Sequence, residues 1–438
     1  MNSLDLWDRL PALAQDGLTF LALLLPALLV GVAVMAGHRP LALVGAMLRR
    51  FPFTNALFVL LIAASVGLGV GLIAQERGLR IGTARAAEKF DLVLAAPGSE
   101  ITMLLAAVYL QPSDVPLLGG DVYAEVTENP HVSIAAPIAF GDSYDGAPVI
   151  GTTPDFAGHL AGPLAAGRMF ATEREAVAGA RVPLAIGDEF TPAHGVGASA
   201  DEEAHEHAHF TVVGRMPMTG SPWDRAILVP VEAVWEVHGL ADGHADGWSG
   251  EVGPPFDMAR FPGTPAILVR ADELWANYAL RSEFNRADVM AFFPGAVLAG
   301  LHNILGDVRQ AMSLLAVATQ VLVTAGVLAG LLVLARLTAQ RLALLRALGA
   351  PARFAFAVVW GYAASLIVAG AILGVGVGYG ATIALSAIIT ERTDILVTAR
   401  LDWPELHLVA GFVSLTLLLA LLPAGATLSR DIVRDLRA

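Results

Sequence analysis

Five stretches of this chain carry no Asp, Glu, Lys or Arg: 18–37, 55–74, 311–335, 354–390 and 406–429. Each is at least as long as the roughly 20 helical residues needed to cross about 30 Å of hydrocarbon. Inside lipid the backbone has no water to bond to, so each stretch must satisfy its own N–H and C=O groups as a helix. Between the second and third stretches lies a long polar segment, 75–310. The expected fold is therefore an α-helical membrane protein with about five spans and one large inserted domain.

Arginines set the orientation, because cytoplasmic loops carry the excess of basic residues. Arg39, Arg49 and Arg50 lie between the first two spans; Arg336, Arg341, Arg346 and Arg353 lie between the third and fourth; Arg430, Arg434 and Arg437 follow the fifth. Five alternating spans place all three groups on one side. The expected order is 1–17 outside, 18–37 helix, 38–54 inside, 55–74 helix and 75–310 outside. It continues with 311–335 helix, 336–353 inside, 354–383 helix, 384–405 outside, 406–429 helix and 430–438 inside. The segment 18–37 lacks a basic leader and exceeds the apolar run of a signal peptide, so it reads as a retained helix.

The inserted domain reads as mixed α/β. Strand-like runs are 91–95, 131–135, 148–151, 210–213, 226–229 and 266–270, rich in Val, Ile and Leu and separated by Gly, Pro and Asp, as in the turn-like Gly141-Asp-Ser-Tyr-Asp-Gly146. Helical runs are 99–110, 231–238 and 271–285. The polar continuations 75–89 and 301–310 read as stalk helices, with Pro294-Gly295 as a break on the return side. Cysteine is absent, so the domain must hold itself by an ordinary core without disulfides. A net charge of −13 argues against a nucleic-acid partner.

Several enzyme and transporter classes lose support. The single lysine, Lys89, precedes Phe90, so the Gly-Lys-Ser/Thr of a nucleotide-binding loop cannot form. No Gly-x-Ser-x-Gly elbow is present. The spans hold no Asp, Glu, Lys or Arg, the charged groups that proton relays and ion pathways normally use. Any ATP hydrolysis must come from another polypeptide.

The segment Arg341-Leu-Ala-Leu-Leu-Arg-Ala-Leu-Gly-Ala350 carries a more specific signal. Leu337, Leu344, Leu345 and Leu348 make an apolar stripe at helical spacing with arginines around it, and Gly349-Ala-Pro351 stops the helix. Such a helix either plugs into a partner's groove or floats on anionic headgroups of the membrane lipids. The segment resembles the Glu-Ile-Gly-Leu-Leu-Arg-Ala-Leu-Gly-Ala motif of the FtsX/MacB-like ABC permease family, which includes the lipoprotein-releasing permeases. Leu344, Leu345, Arg346, Ala347, Leu348, Gly349 and Ala350 match it; Arg341 stands where the family has Glu, and Ala343 where it has Gly. Pro423 to Arg430 and Arg434 to Arg437 also resemble the family's closing segment. The helix 18–37 is extra to its four-span plan.

That resemblance implies a MacB-like architecture in a bacterial inner membrane. It implies a permease dimer bound to a cytosolic ABC ATPase dimer that carries ATP and Mg²⁺, with no cofactor in this chain. ATP-driven closure of the spans would move the outer domain, by mechanotransmission, against a periplasmic partner. The ATPase-coupling residues it implies are Arg341, Leu344, Leu345, Arg346, Ala347, Leu348 and Gly349. A regulator that activates an outer hydrolase, and an ATP-independent membrane-anchored metal sensor, remain open alternatives.

Three further features carry expectations. Gly370, Gly374 and Gly378 have small-xxx-small spacing for close helix packing, in the bundle or across a dimer. His205, His207 and His209, within Asp201-Glu-Glu-Ala-His-Glu-His-Ala-His209, would share one face of a strand and suit zinc or another divalent metal. His194, His238 and His244 join them only if the fold brings them close; a solvated loop is the alternative. Trp223, in Thr219-Gly-Ser-Pro-Trp-Asp-Arg225, either docks a partner or packs as local core.

Overall fold

The computed structural model describes residues 7, 9–111, 113–195, 208–248 and 251–426. Two units emerge, one made of 1–78, 306–386 and 398–438 and the other of 79–305 and 387–397. Five helices are long and apolar enough to cross a membrane, and the second unit is a mixed sheet flanked by helices. The chain is thus a helical membrane protein with an α/β domain.

The chain opens with α1 (Ala12–Met35), α2 (Leu41–Arg50) and α3 (Pro52–Ala87). Sequence reading left 38–54 as a loop; α2 occupies it, with Arg49 and Arg50 in its last turn, where cations suit the carbonyl end of the helix dipole.

The sheet domain follows: β1 (Leu92–Ala95), α4 (Glu100–Ala107), α5 (Gly120–Glu128), β2 (Val132–Tyr144), β3 (Ala147–Thr152), α6 (Pro154–Ala161), β4 (Ala166–Gly167), β5 (Glu175–Ala178), β6 (Glu189–Phe190), β7 (Ala193–His194), β8 (Phe210–Arg215), β9 (Ile227–Pro230), α7 (Val231–Val237), β10 (Ala266–Ala271), α8 (Leu274–Phe284) and β11 (Met290–Phe292). The main strand order is β11-β1-β10-β2-β3-β9-β5-β8-β4, with β6 on β8 and β7 on β2. Alternation splits the core in two. Leu92 and Leu94 face a layer with Tyr123, Trp235, Phe256 and Phe284, whereas Val93 and Ala95 face one with Leu104, Phe156 and Trp223. Helices therefore cover both faces, which is why β1 and β9 are apolar along their whole length and fully buried.

Local chemistry explains several boundaries. Thr153 caps α6 by accepting the Phe156 N–H, with Pro154 in the first turn, where its missing N–H costs nothing. Gly141 to Gly146 had read as a turn. Only Asp145 and Gly146 turn, both with positive φ (48° and 75°), the type I′ geometry of a two-residue hairpin. Residues 141–144 belong to β2.

The chain ends with α9 (Pro294–Leu337), α10 (Ala339–Ala347), α11 (Ala352–Thr393), α12 (Trp403–Leu419) and α13 (Leu421–Gly425). Pro294-Gly295, expected as a break, starts α9. The fourth helix, expected to stop at 383, continues to Thr393, because leaving lipid removes the apolar requirement without removing helix propensity.

Within the helical unit, Trp360 donates its Nε1–H to the Leu417 carbonyl at 3.1 Å, and the Tyr362 hydroxyl bonds the Asn55 side chain. The extra helix α1 packs against α12: Asp16 offers its carbonyl to His407 Nε2 at 2.9 Å, and Phe20 meets Trp403 edge-on. Glu405, which the sequence had placed in a loop, is a buried residue of α12. It pairs with Arg77 at 2.9 Å, and Arg77 also donates to the Arg400 carbonyl at 2.7 Å. A buried carboxylate requires such a partner, and Glu405 additionally closes a capping box with Asp402.

Candidate functional site: a short helix between two spans

α10 sits between the third and fourth candidate spans, which end at Arg336 and begin at Ala352. Thr338 precedes it and donates its hydroxyl to Leu334. Its inner side holds Leu342 and Ala343, both buried among apolar side chains of the helical unit. Arg341, Leu344, Ala347, Leu348 and Gly349 are exposed, Leu344 by 55% and Leu348 by 78%. Residues 341, 344 and 348 share one helical face, so two leucines and a guanidinium stand outward together. Leu345 and Arg346 are half-buried. Of the four leucines expected as a stripe, Leu344 and Leu348 stand outward and Leu345 packs toward the core, and the side chain of Leu337 lies outside those described.

The end of α10 is stereochemically specified. Gly349 has φ +102°, a conformation open to glycine and costly for residues with a Cβ. The Ala350 N–H donates to the Leu345 carbonyl and the Gly349 N–H to the Arg346 carbonyl, both at 3.0 Å. This pair of bonds is a Schellman closure, and Pro351 follows it. The Leu-Gly-Ala run thus holds α10 to a defined length.

Gly370, Gly374 and Gly378 form a ridge on α11 against α3. A Cβ built on Gly370 would lie 2.6 Å from Ile62 Cβ, one on Gly374 2.7 Å from Val66 Cβ and 2.9 Å from the Ala63 carbonyl, and one on Gly378 2.7 Å from the Gly67 carbonyl. Backbone meets backbone here, the approach that small residues permit.

Trp223 is fully buried. Its Nε1–H donates to the Val108 carbonyl at 3.0 Å, and its ring packs against Phe90 and Phe156. It is core and cannot serve as a docking side chain.

Of the histidine run, His205 and His207 lie outside the described residues; His209 is exposed, its Nδ1 3.0 Å from Thr191 Oγ1. His244 is committed elsewhere. Its Nε2 lies 3.3 Å from Glu232 Oε1 and its ring stacks on Trp248. Glu232 also accepts the Gly253 N–H, and burial pushes its carboxyl up from the ordinary range. His194 and His238 do converge, and the residue they meet is Asp142. Asp142 escaped sequence reading because Gly141-Asp-Ser-Tyr-Asp-Gly146 looked like one turn; the Asp-Gly pair at 145–146 was the usable hairpin signal.

No family model matches the chain, and no curated protein does. Among solved structures it is similar to the extracellular domain of the noncanonic ABC-type transporter YknZ from Gram-positive bacteria. That similarity has 10% identity, covers 46% of this chain and 98% of that one, and has a TM-score of 0.26.

Proposed function

We propose that the chain is the membrane subunit of an ABC transporter of the FtsX/MacB kind, set in a bacterial inner membrane with its sheet domain outside. It works with a second permease copy and with a separate pair of ATPase subunits that supply ATP and Mg²⁺ chemistry. The observation that carries this reading is the outward face of α10. Leu344 and Leu348 stand exposed on a short helix that Gly349 closes at its C-terminal end. Covering both leucines in a partner groove is worth about 1.5–3 kcal/mol each, and Arg341 beside them offers a charge for a carboxylate. The match of residues 344–350 to the family motif selects an ATPase as that partner.

The output is motion of the sheet domain rather than passage of solute through this chain. The helices α3, α9 and α11 are each continuous over 36, 44 and 42 residues. Their far portions, 79–87, 294–305 and 387–393, belong to the sheet-domain unit. A displacement imposed at α10 passes along these rods.

The test is purification of the full-length chain from its native membrane in mild detergent. A P-loop ATPase should be retained, and the complex should hydrolyse ATP. Leu344→Asp with Leu348→Asp should release the ATPase while leaving the melting temperature of the chain unchanged, since both side chains are already exposed. Retention of the ATPase by the double variant at wild-type stoichiometry, or a wild-type chain that holds none, overturns the reading.

A further inference from the structure

We infer that the sheet domain holds a divalent transition metal of the zinc class on Asp142, His194 and His238. The site is independent of the ATPase reading. Three elements converge to build it. β2 carries a bulge between Phe140 and Asp142 where its register against β3 shifts, and bulges re-aim the side chains beside them. β7 lies on the bulged stretch with His194 directly opposite Asp142, and the Gly195 N–H donates to the Gly141 carbonyl at 2.8 Å to pin it there. His238 closes the C-terminus of α7.

The geometry suits a cation. His194 Nδ1 lies 3.3 Å and His238 Nε2 3.5 Å from the same oxygen, Asp142 Oδ1. With zinc bonds of about 2.0–2.1 Å, the edges of a tetrahedron are about 3.3–3.4 Å, so both spacings match ligands that share one ion. The ligand atoms of all three residues fall within 4.8 Å of one another. His238 Nδ1 is 2.7 Å from the Val234 carbonyl, a bond that requires the proton on Nδ1 and leaves Nε2 as the atom facing the carboxylate. A carbonyl holding the far nitrogen is the usual support for a metal-binding imidazole.

Asp142 is only 2% exposed, whereas His194 and His238 are 44% and 29% exposed. Asp142 also lines a cavity of about 490 Å³ with Gln111, Ser113, Asp114 and Gly195. A buried anionic anchor and two part-exposed imidazoles supply three ligands of the types zinc takes.

The experiment uses the full-length chain in detergent, stripped with chelator and titrated with Zn²⁺ alone. The wild type should bind zinc, and Asp142→Asn and His194→Ala should each weaken it at least about tenfold. The triple variant His205→Ala, His207→Ala, His209→Ala should keep the Asp142-dependent binding. Unchanged affinity in the first two variants, or loss in the triple variant alone, overturns the assignment. A second readout needs no variant: zinc should protect His194 and His238 of the wild type from diethyl pyrocarbonate. Equal modification with and without zinc counts against the site even if a variant fails to fold.

Discussion

The sheet domain and the helical unit bury their interiors by opposite means. In the domain the buried side chains are large: Trp223, Tyr123, Phe170, Phe210, Phe284 and Phe292 are almost wholly covered. In the helical unit Gly370, Gly374 and Gly378 let two helix backbones meet, while Leu21, Leu314, Leu322 and Ile372 stay exposed. The solvent explains the contrast. In water, covering a large ring removes apolar surface at about 25 cal/mol per Å². In lipid, a leucine gains nothing from moving inward, so association relies on close backbone approach. One chain therefore follows two packing rules, and its composition, 55% hydrophobic and 15% charged, averages over them.

Each rule can be broken separately. The largest effect should come from Trp223→Ala, which deletes a central ring of the domain and orphans the Val108 carbonyl; the expected loss is about 3–5 kcal/mol. Hydrogen exchange of β1 and β9 in the full-length protein reads it, and unchanged protection would remove Trp223 from the core. Gly374→Ala should cost less, about 1–3 kcal/mol, because its new methyl meets Val66 and the Ala63 carbonyl. Gly376→Ala, two residues on, meets nothing within 4 Å and should cost nothing, or even stabilise through helix propensity. Equal melting temperatures for these two variants would mean that glycine is merely frequent here and does not mediate packing.

The same contrast governs how much could be read from residues alone. Spans were legible because lipid demands unbroken apolar length, and β1 and β9 because a strand covered on both faces is apolar throughout. β5 and α5 were missed: Glu175–Ala178 has one β-branched residue among two alanines and a glutamate, and Gly120–Glu128 opens on glycine and carries three acidic residues. α2 was hidden by its neighbours Pro40 and Pro52, which read as loop. The exposed face of α10 was legible as a motif, but the inward turn of Leu345 depends on tertiary contacts. Asp142, His194 and His238 lie far apart in sequence, and only the β2 bulge and the end of α7 bring them together.

The central claim is that α10 faces the cytoplasm while the sheet domain faces outward. The chain has no cysteine, so one introduced thiol reports one position. Ser133→Cys, in β2, and Leu348→Cys, at the end of α10, are both at exposed residues. In intact spheroplasts a membrane-impermeant maleimide should label the first and spare the second, with both labelled after permeabilisation. Labelling of Leu348→Cys from outside, or protection of Ser133→Cys, would contradict the account.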